Sequence, residues 1–260
     1  MEKPCKYAAL AAEIIKIIGE DECNDTYGSM RMHHALTLKK EIAESKGEDF
    51  PEVPSERTIY RIMHKMGMIH KPKRNPKGLT KADKEAQKSD NLIKNNEIID
   101  GQKQSDFIAE KPCEKCVADI TEVACSNGKL YISAVEDVHL HPLLRVNMAI
   151  VYSDRGSQYT SDLYKNYIAQ TGLRQSMNSA AGRCHDNAKC ESLWARMKSE
   201  LFYGRYDTTK MTIEQVKTLV WRYFMGYWNN QRICSVNGGL PPVMKRERYY
   251  AACEAPRDAA

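Results

Sequence analysis

No run of eighteen apolar residues occurs in this sequence, so no segment is long enough to cross a bilayer as a helix. The N-terminal stretch MEKPCKYAALAAEIIKIIGE is too acidic and too poorly shaped for a secretory leader. The cysteines form no framework either: they number nine, an odd count scattered along the chain, which fits reduced thiols better than disulfides. Together these absences point to a soluble, cytoplasmic protein. An excess of one charge is also lacking, the net value being only +5. What is present is apolar content, 42% of 260 residues, enough for one large or two modest domains with real cores, which excludes a fully disordered chain.

The distribution of charge says more than its sum. From Arg57 to Lys88 ten lysines and arginines stand against two acids, Asp83 and Glu85. Such a stripe is either a solvated linker or an electrostatic footprint for phosphate. Helical patterns lie directly upstream. Tyr7 to Ile18 reads as a short helix, and YGSMRMHHALTLKKEIAESKG as a second, with Met32, Leu36 and Ile42 inward and a stop at Gly47. In SERTIYRIMHKMG, Ser55 is placed to cap a third helix, Ile59, Ile62, Met63 and Met66 form one stripe, and Gly67 supplies the stop. Arg57, Arg61 and Lys65 fall on its polar side, so residues 1–69 are a candidate helix-turn-helix variant. The apolar stripe taken alone means only core.

Residues 70–109 are polar, basic and aperiodic, and read as a linker with some helix from Lys81 to Ile93. A strand-rich region follows. CVADITEV alternates as one strand with Val117, Asp119 and Thr121 on one side, SNGK is a hairpin turn on Asn127-Gly128, and LYISAVEDV is the antiparallel return. AIVYSD is a further buried strand, and SDLYKNYIAQTG a helix capped by Ser161 and stopped by Gly172. HDNAKCESLWARMKSELFYG is a longer helix with Cys190, Trp194, Met197 and Leu201 on one stripe and Glu191, Ala195 and Lys198 beside it. A last helix starts from the capping box Thr212 to Gln215 and carries Val216, Leu219, Val220, Tyr223, Phe224 and Tyr227 as core.

Three acids invite a chemical reading: Asp119 and Asp154 on strands and Glu191 near the start of a helix. Converged, they would offer the hard oxygen ligands that suit Mg²⁺. A pair of such ions activates the attacking oxygen of a phosphodiester displacement and stabilises the leaving one. Spacing alone is a weak signal, since any given acid is far more often a cap or a surface charge. Zinc competes for notice at Cys113 and Cys116, and at Cys184, His185 and Cys190. A structural zinc site needs four ligands in paired spacing, and neither group has a second pair; His33, His34, His64 and His70 lack paired cysteines too.

The wording around the acids is more specific than their spacing. SDRGSQY, then SMN, then DNA-x-x-E with Lys198 seven residues after Glu191, closely resembles the integrase-like core of bacterial insertion-sequence transposases. It is most similar to the second-frame (OrfB) product of the insertion-sequence-three group, from about Tyr27 to Tyr250 with one gap. The resemblance implies an α/β fold: a ribonuclease-H-like integrase core over 110–208, with a mixed sheet and helices on both faces, behind the all-α N-terminal domain. A C-terminal helical extension, 209–260, would complete the chain.

The resemblance further implies Asp119, Asp154 and Glu191 as catalytic residues holding two Mg²⁺ or Mn²⁺ ions, with Gln158, Asn187 and Lys198 positioning DNA. YGSMRM and RTIYRIMHKMG are similar to the family's small DNA-binding domain, which would give Arg57, Arg61 and Lys65, and with the basic tether Lys73 and Arg74, to duplex DNA. YWNNQR and GGLPP, ahead of the basic tail KRER, resemble its C-terminal signature and would shape the active-site rim or bind DNA. The implied activity is DNA transposition by metal-dependent cleavage and strand transfer. The implied partners are element ends and target duplex, further copies of the chain, and a first-frame (OrfA-type) protein, all at the nucleoid and away from membranes.

Departures from the pattern set a second expectation. Only 34 residues separate Asp119 from Asp154. Asp137 matches an acid at the end of the second strand, yet Glu136 to Met148 cannot supply both a third strand, typically about five or six residues, and a crossover helix of roughly a dozen or more. An internal block is expected to be missing, which would expose a sheet edge and an apolar face. Tyr152 stands where the family has a His, and the N-terminus is short for the family. The resulting expectation is a transposase by descent with defective catalysis. The alternatives are a DNA-binding regulator working through its N-terminal helices alone and a ribonuclease-H-type nuclease without strand transfer.

Overall fold

The computed structural model describes residues 6–69, 92, 94–99, 102–105, 109, 111–112, 114–133, 149–153, 156–177 and 188–254. In chain order the elements are α1 (Ala8–Glu20), a 3-10 turn (Glu22–Thr26), α2 (Ser29–Lys46), α3 (Glu56–Lys65), β1 (Lys94–Ile99) and β2 (Gln102–Ser105). There follow β3 (Lys115–Val117), β4 (Ile120–Cys125), β5 (Gly128–Ser133), β6 (Ile150–Ser153), α4 (Ser157–Thr160), α5 (Asp162–Thr171) and β7 (Arg174–Met177). Next come α6 (Ala188–Met197), running on as a π-helical turn (Lys198–Phe202), and α7 (Ile213–Trp221), running on as a second (Arg222–Trp228). A 3-10 turn (Ser235–Asn237) and α8 (Pro242–Glu254) are the last described elements. No described helix is long and apolar enough to cross a membrane. The chain packs as two units, one of Met1–Arg74, Glu200–Tyr206 and Glu214–Ala260, the other of Asn75–Ser199 and Asp207–Ile213.

The first unit is helical. In α1, Leu10, Ile14 and Ile17 recur at helical spacing and are buried. Helix α2 buries Met32, Ala35, Leu36, Leu38 and Ala43 and stops at Gly47, whose φ of 71° is one that only glycine adopts cheaply. The Glu48 N–H reaches back to the Ala43 carbonyl at 2.9 Å, closing the turn as a Schellman motif does. Ile42, expected inward, is 38% exposed. The inward place falls to Ala43, because three turns from Met32 is about 10.8 residues. In α3, Ile59 and Met63 are fully buried and Gly67 takes φ 69°. Ser55 occupies the cap position, but its hydroxyl bonds no helix N–H; the Thr58 and Ile59 amides are taken by its backbone carbonyl instead.

The C-terminal segments of this unit meet the N-terminal helices through a buried charge cluster. Glu200 is 3% exposed and Arg232 1%. Arg232 donates from Nε to Glu200 Oε2 at 2.8 Å and from Nη2 to Oε1 at 2.7 Å, a bidentate fork. Arg31 of α2 adds a third donor at 3.0 Å, and the Tyr223 hydroxyl a fourth at 2.9 Å. Burial alone would raise the Glu200 pKa, but the hydrogen bonds and charge of Arg232, then Arg31, hold it below the ordinary carboxylate value. Such a site is costly to desolvate and stands only when every partner is present. YWNNQR and GGLPP were expected to shape the active-site rim or bind DNA; the Arg232 guanidinium of the first is consumed inside the unit and lies 4.3 Å from the Trp228 ring centre. GGLPP is also packing: at Gly239, φ 82°, an added Cβ would lie 2.7 Å from His34 Nδ1.

The second unit holds the strands. β3, β6 and β7 form a parallel sheet in the order β3-β6-β7, with registers Val117↔Tyr152 and Ser153↔Met177. Helix α5 connects β6 to β7, capped by the Ser161 hydroxyl on the Tyr164 N–H and stopped by Gly172 at φ 70°. Ala118, Ala149, Val151, Tyr159, Ile168, Leu173 and Met177 make the core between sheet and helix. Each large apolar side chain buried there contributes about 1.5–3 kcal/mol.

Two expectations are revised in this unit. CVADITEV is not one strand: it breaks at Ala118 and Asp119, β3 joining the parallel sheet while β4 pairs antiparallel with β5. Residues 94–105, read as linker, include an antiparallel pair, β1 with β2, in register Ile99↔Gln102. The β4–β5 hairpin is closed one residue earlier than Asn127-Gly128 suggests, since Cys125 pairs with Gly128. The block expected to be missing after the second strand falls on residues 134–148, outside the described residues.

Candidate active site

Parallel sheets bind ligands beyond the carboxyl ends of their strands, so the ends of β3 and β6 are the place to look. The ladder between them runs one residue past β3, the Ala118 N–H bonding the Tyr152 carbonyl at 2.6 Å. Asp119 is the next residue. It is half-buried, and its Oδ1 accepts the Ile120 N–H at 2.9 Å. Asp154 follows Ser153, the last residue of β6, in sequence; Asp154 itself lies outside the described residues. Tyr152, standing where the resemblance expects a His, is 1% exposed and is part of the sheet's packing.

Lys198 is brought to this edge. Its ammonium donates to the Glu122 carbonyl at 3.1 Å and feels the charges of both Glu122 and Asp119. Burial pushes its pKa down, and the two carboxylates act in the opposite sense. Glu191 lies seven residues earlier, in the first turn of α6, and its side chain is exposed. That separation is about two turns, roughly 10 Å of rise on one side of the helix. Trp194 and Met197 are buried, as the stripe predicts. Among the described residues no three His, Cys, Asp or Glu side chains are grouped closely enough to hold a metal ion. Asp119, described at the strand edge, offers the carboxylate oxygen that suits a hard divalent ion.

The remaining site candidates separate. Arg57, Arg61 and Lys65 lie at spacing four along α3, are exposed, and form no ion pair among the described residues. They cover about 12 Å of one helix face. Gln158 is exposed on the short α4. Lys73, Arg74 and Asn187 lie outside the described residues, as do Cys113, Cys184, His185 and His70 from the zinc readings; Cys116 is half-buried in β3. Glu122 was not singled out by sequence. It sits on the exposed face of β4, paired to Lys129 at 2.8 Å, and its carbonyl anchors Lys198; only the alternation after Asp119 could have pointed to it.

Comparison with known proteins bears on this arrangement. No family model matches the chain. An uncharacterized transposase-like protein of Haemophilus influenzae is 33% identical over 174 residues, covering 57% of this chain and 78% of that protein. Transposase InsK of the IS150 element of Escherichia coli is 28% identical, covering 96% of this chain and 87% of its own. The alignment with it spans 275 positions against 260 residues here, so at least 15 of the relative's residues have no counterpart. Transposase InsF of the IS3A element of Escherichia coli is 30% identical over 57% of this chain and 59% of its own. Among solved structures, the intasome of simian T-cell lymphotropic virus is similar at a TM-score of 0.40 and 12% identity, covering 80% of this chain and 69% of that one, a likeness too slight to argue from.

Proposed function

The chain belongs to the insertion-sequence-three family of transposases, and from that premise we propose that it is a DNA transposase of the three-carboxylate (DDE) type. Asp119, Asp154 and Glu191 are its catalytic acids and would hold Mg²⁺ or Mn²⁺, which when bound supplies Lewis-acid activation at the phosphodiester. In the first step a water oxygen attacks phosphorus at an element end and the 3′-oxygen leaves. In the second, that 3′-hydroxyl attacks a phosphodiester of the target and displaces the target's own 3′-oxygen. Lys198 supplies a fixed positive charge to a DNA phosphate at the strand edge, with Gln158 and Asn187 as further polar contacts. Arg57, Arg61, Lys65, Lys73 and Arg74 carry the sequence-independent grip on duplex DNA. Several copies of the chain act together on the two ends.

The observation that carries the reading is the strand edge itself. β3 and β6 are adjacent and parallel, Asp119 directly follows the end of their ladder and Asp154 follows β6 in sequence, and the Lys198 ammonium comes to that edge within the field of Asp119. Neighbouring strands are about 4.8 Å apart, and Asp119 and Asp154 are the residues that would hold the ion there.

The test uses full-length protein with Mn²⁺, a duplex carrying the DNA that flanks its coding sequence, and a plasmid target. Wild type that releases 3′ ends and joins them is catalytically competent despite the short segment between Asp119 and Asp154, and Asp119→Asn and Glu191→Gln should then each do neither. Cleavage that persists in both variants would sink the assignment of the acids. Cleavage without joining would leave a nuclease. A thermal melt separates metal binding from turnover: at a hundredfold excess over Kd, Mn²⁺ should add about 2.7 kcal/mol to wild type and nothing to Asp119→Asn.

A further inference from the structure

We propose that the DNA-reading helices are folded only when residues 200–254 are in place, so that DNA binding is a property of the completed chain and not of its N-terminal quarter. The inference rests on the assignment of α3 to DNA made above and adds a regulation to it: a chain lacking its C-terminal segments has no functional grip.

At ten residues α3 is too short to be stable alone and depends on its packing against α2. One side of α2 is in turn completed by residues from the far end of the sequence. Arg31 pairs with Glu200, His34 meets Gly239, and Glu41 pairs with Arg248 at 3.1 Å. Between α1 and α2, the Tyr27 hydroxyl accepts the Ile233 N–H at 3.0 Å. Glu22, in the turn after α1, receives Arg222 and the Tyr206 hydroxyl, and its carbonyl accepts Arg205 Nη2 at 2.7 Å. These contacts span separations of about 170 to 207 residues and all lie in one unit.

Without the C-terminal segments, Arg31 would lose its partner and Tyr27, 2% exposed, would lose its cover. The residue pattern is that of a shared core and not of an appended tail. Val216, Tyr223, Tyr227, Ile233 and Leu240 are buried in the same unit as Ile14, Met32 and Ile59.

The experiment is hydrogen exchange on the full chain, comparing wild type with Glu200→Gln, which keeps the shape of the side chain, and Arg232→Lys, which keeps the charge. Amides of α2 and α3 should exchange on the order of a hundredfold faster in both variants, as expected when a buried pair loses one partner. Amides of β6, α5 and β7 should keep their wild-type rates. Unchanged protection in α2 and α3 would overturn the inference, and so would an equal loss in both sets. A random-sequence duplex at low ionic strength tests the underlying reading separately. If wild type fails to bind it, the assignment of α3 to DNA falls, while the exchange pattern still decides whether the C-terminal segments hold the helices.

Discussion

One helical run, residues 188–202, carries an acid near each end, and the two have opposite circumstances. Glu191 is exposed and makes no ion pair among the described residues. Glu200, nine residues on, is 3% exposed and accepts four hydrogen bonds from Arg232, Arg31 and Tyr223. An acid that is to meet metal and DNA must keep its lone pairs available. An acid that is to hold a fold must have them filled, since a buried carboxylate with an unfilled site costs more than it contributes. The residue type is the same, and the environment separates chemistry from architecture.

The widest separation between the two should appear on replacing each by Gln. Glu191→Gln is expected to lower strand transfer by on the order of a thousandfold, the loss of several kcal/mol of transition-state stabilisation, with no change in melting temperature. Glu200→Gln should do the reverse, destabilising the first unit while leaving the acids of the strand edge chemically intact. If both variants lose activity and stability together, the contrast between the two ends collapses.

Arg232→Ala tests the architectural end more severely. It leaves Glu200 buried with the Arg31 guanidinium and the Tyr223 hydroxyl as its partners, and urea unfolding should show a loss of about 3–5 kcal/mol. The same cluster gives a pH signature. Glu200 has a folded pKa below its ordinary 4.5, so its stabilisation is complete above that value and is lost as pH falls through the lower, folded value. The urea midpoint of wild type should therefore drop between neutral pH and about pH 3 by more than that of Glu200→Gln.

Gly239→Ala probes the same architecture through backbone. The new Cβ would meet His34 Nδ1 at 2.7 Å at a φ of 82°, and the expected cost is about 1–3 kcal/mol. Gly226→Ala is the control: nothing lies within 4 Å of its Cβ position, and φ is ordinary, so the change should be neutral or slightly stabilising.

What the sequence could and could not say follows the range of the interactions. The stops at Gly47, Gly67 and Gly172 and the cap at Ser161 are local, encoded within a turn of the residue concerned, and each was readable. Strand β7, LRQSM in context, carries no period and exists because β6 and α5 deliver the chain to a vacant sheet edge. The break at Ala118 and Asp119 arises because β3 and β4 find different partners, which alternation cannot reveal. Arg232 is a related case. A basic residue in a family signature suggests DNA, and only a partner 32 residues away shows that its charge is already satisfied.

The smallest effect concerns the exposed basic face of α3, the counterpart in cation form of Glu191. Arg61 is exposed and forms no ion pair among the described residues, so nothing in the fold depends on its charge. Arg61→Ala should leave stability within about 0.5 kcal/mol, as surface changes usually do. If its guanidinium meets a phosphate, one fewer counterion is released on binding, and the slope of log K against log salt should fall by about 0.9. Arg232→Lys, by contrast, should weaken binding through the folded fraction and leave that slope unaltered. A salt series on both variants thus distinguishes a charge that touches DNA from a charge that holds the protein together.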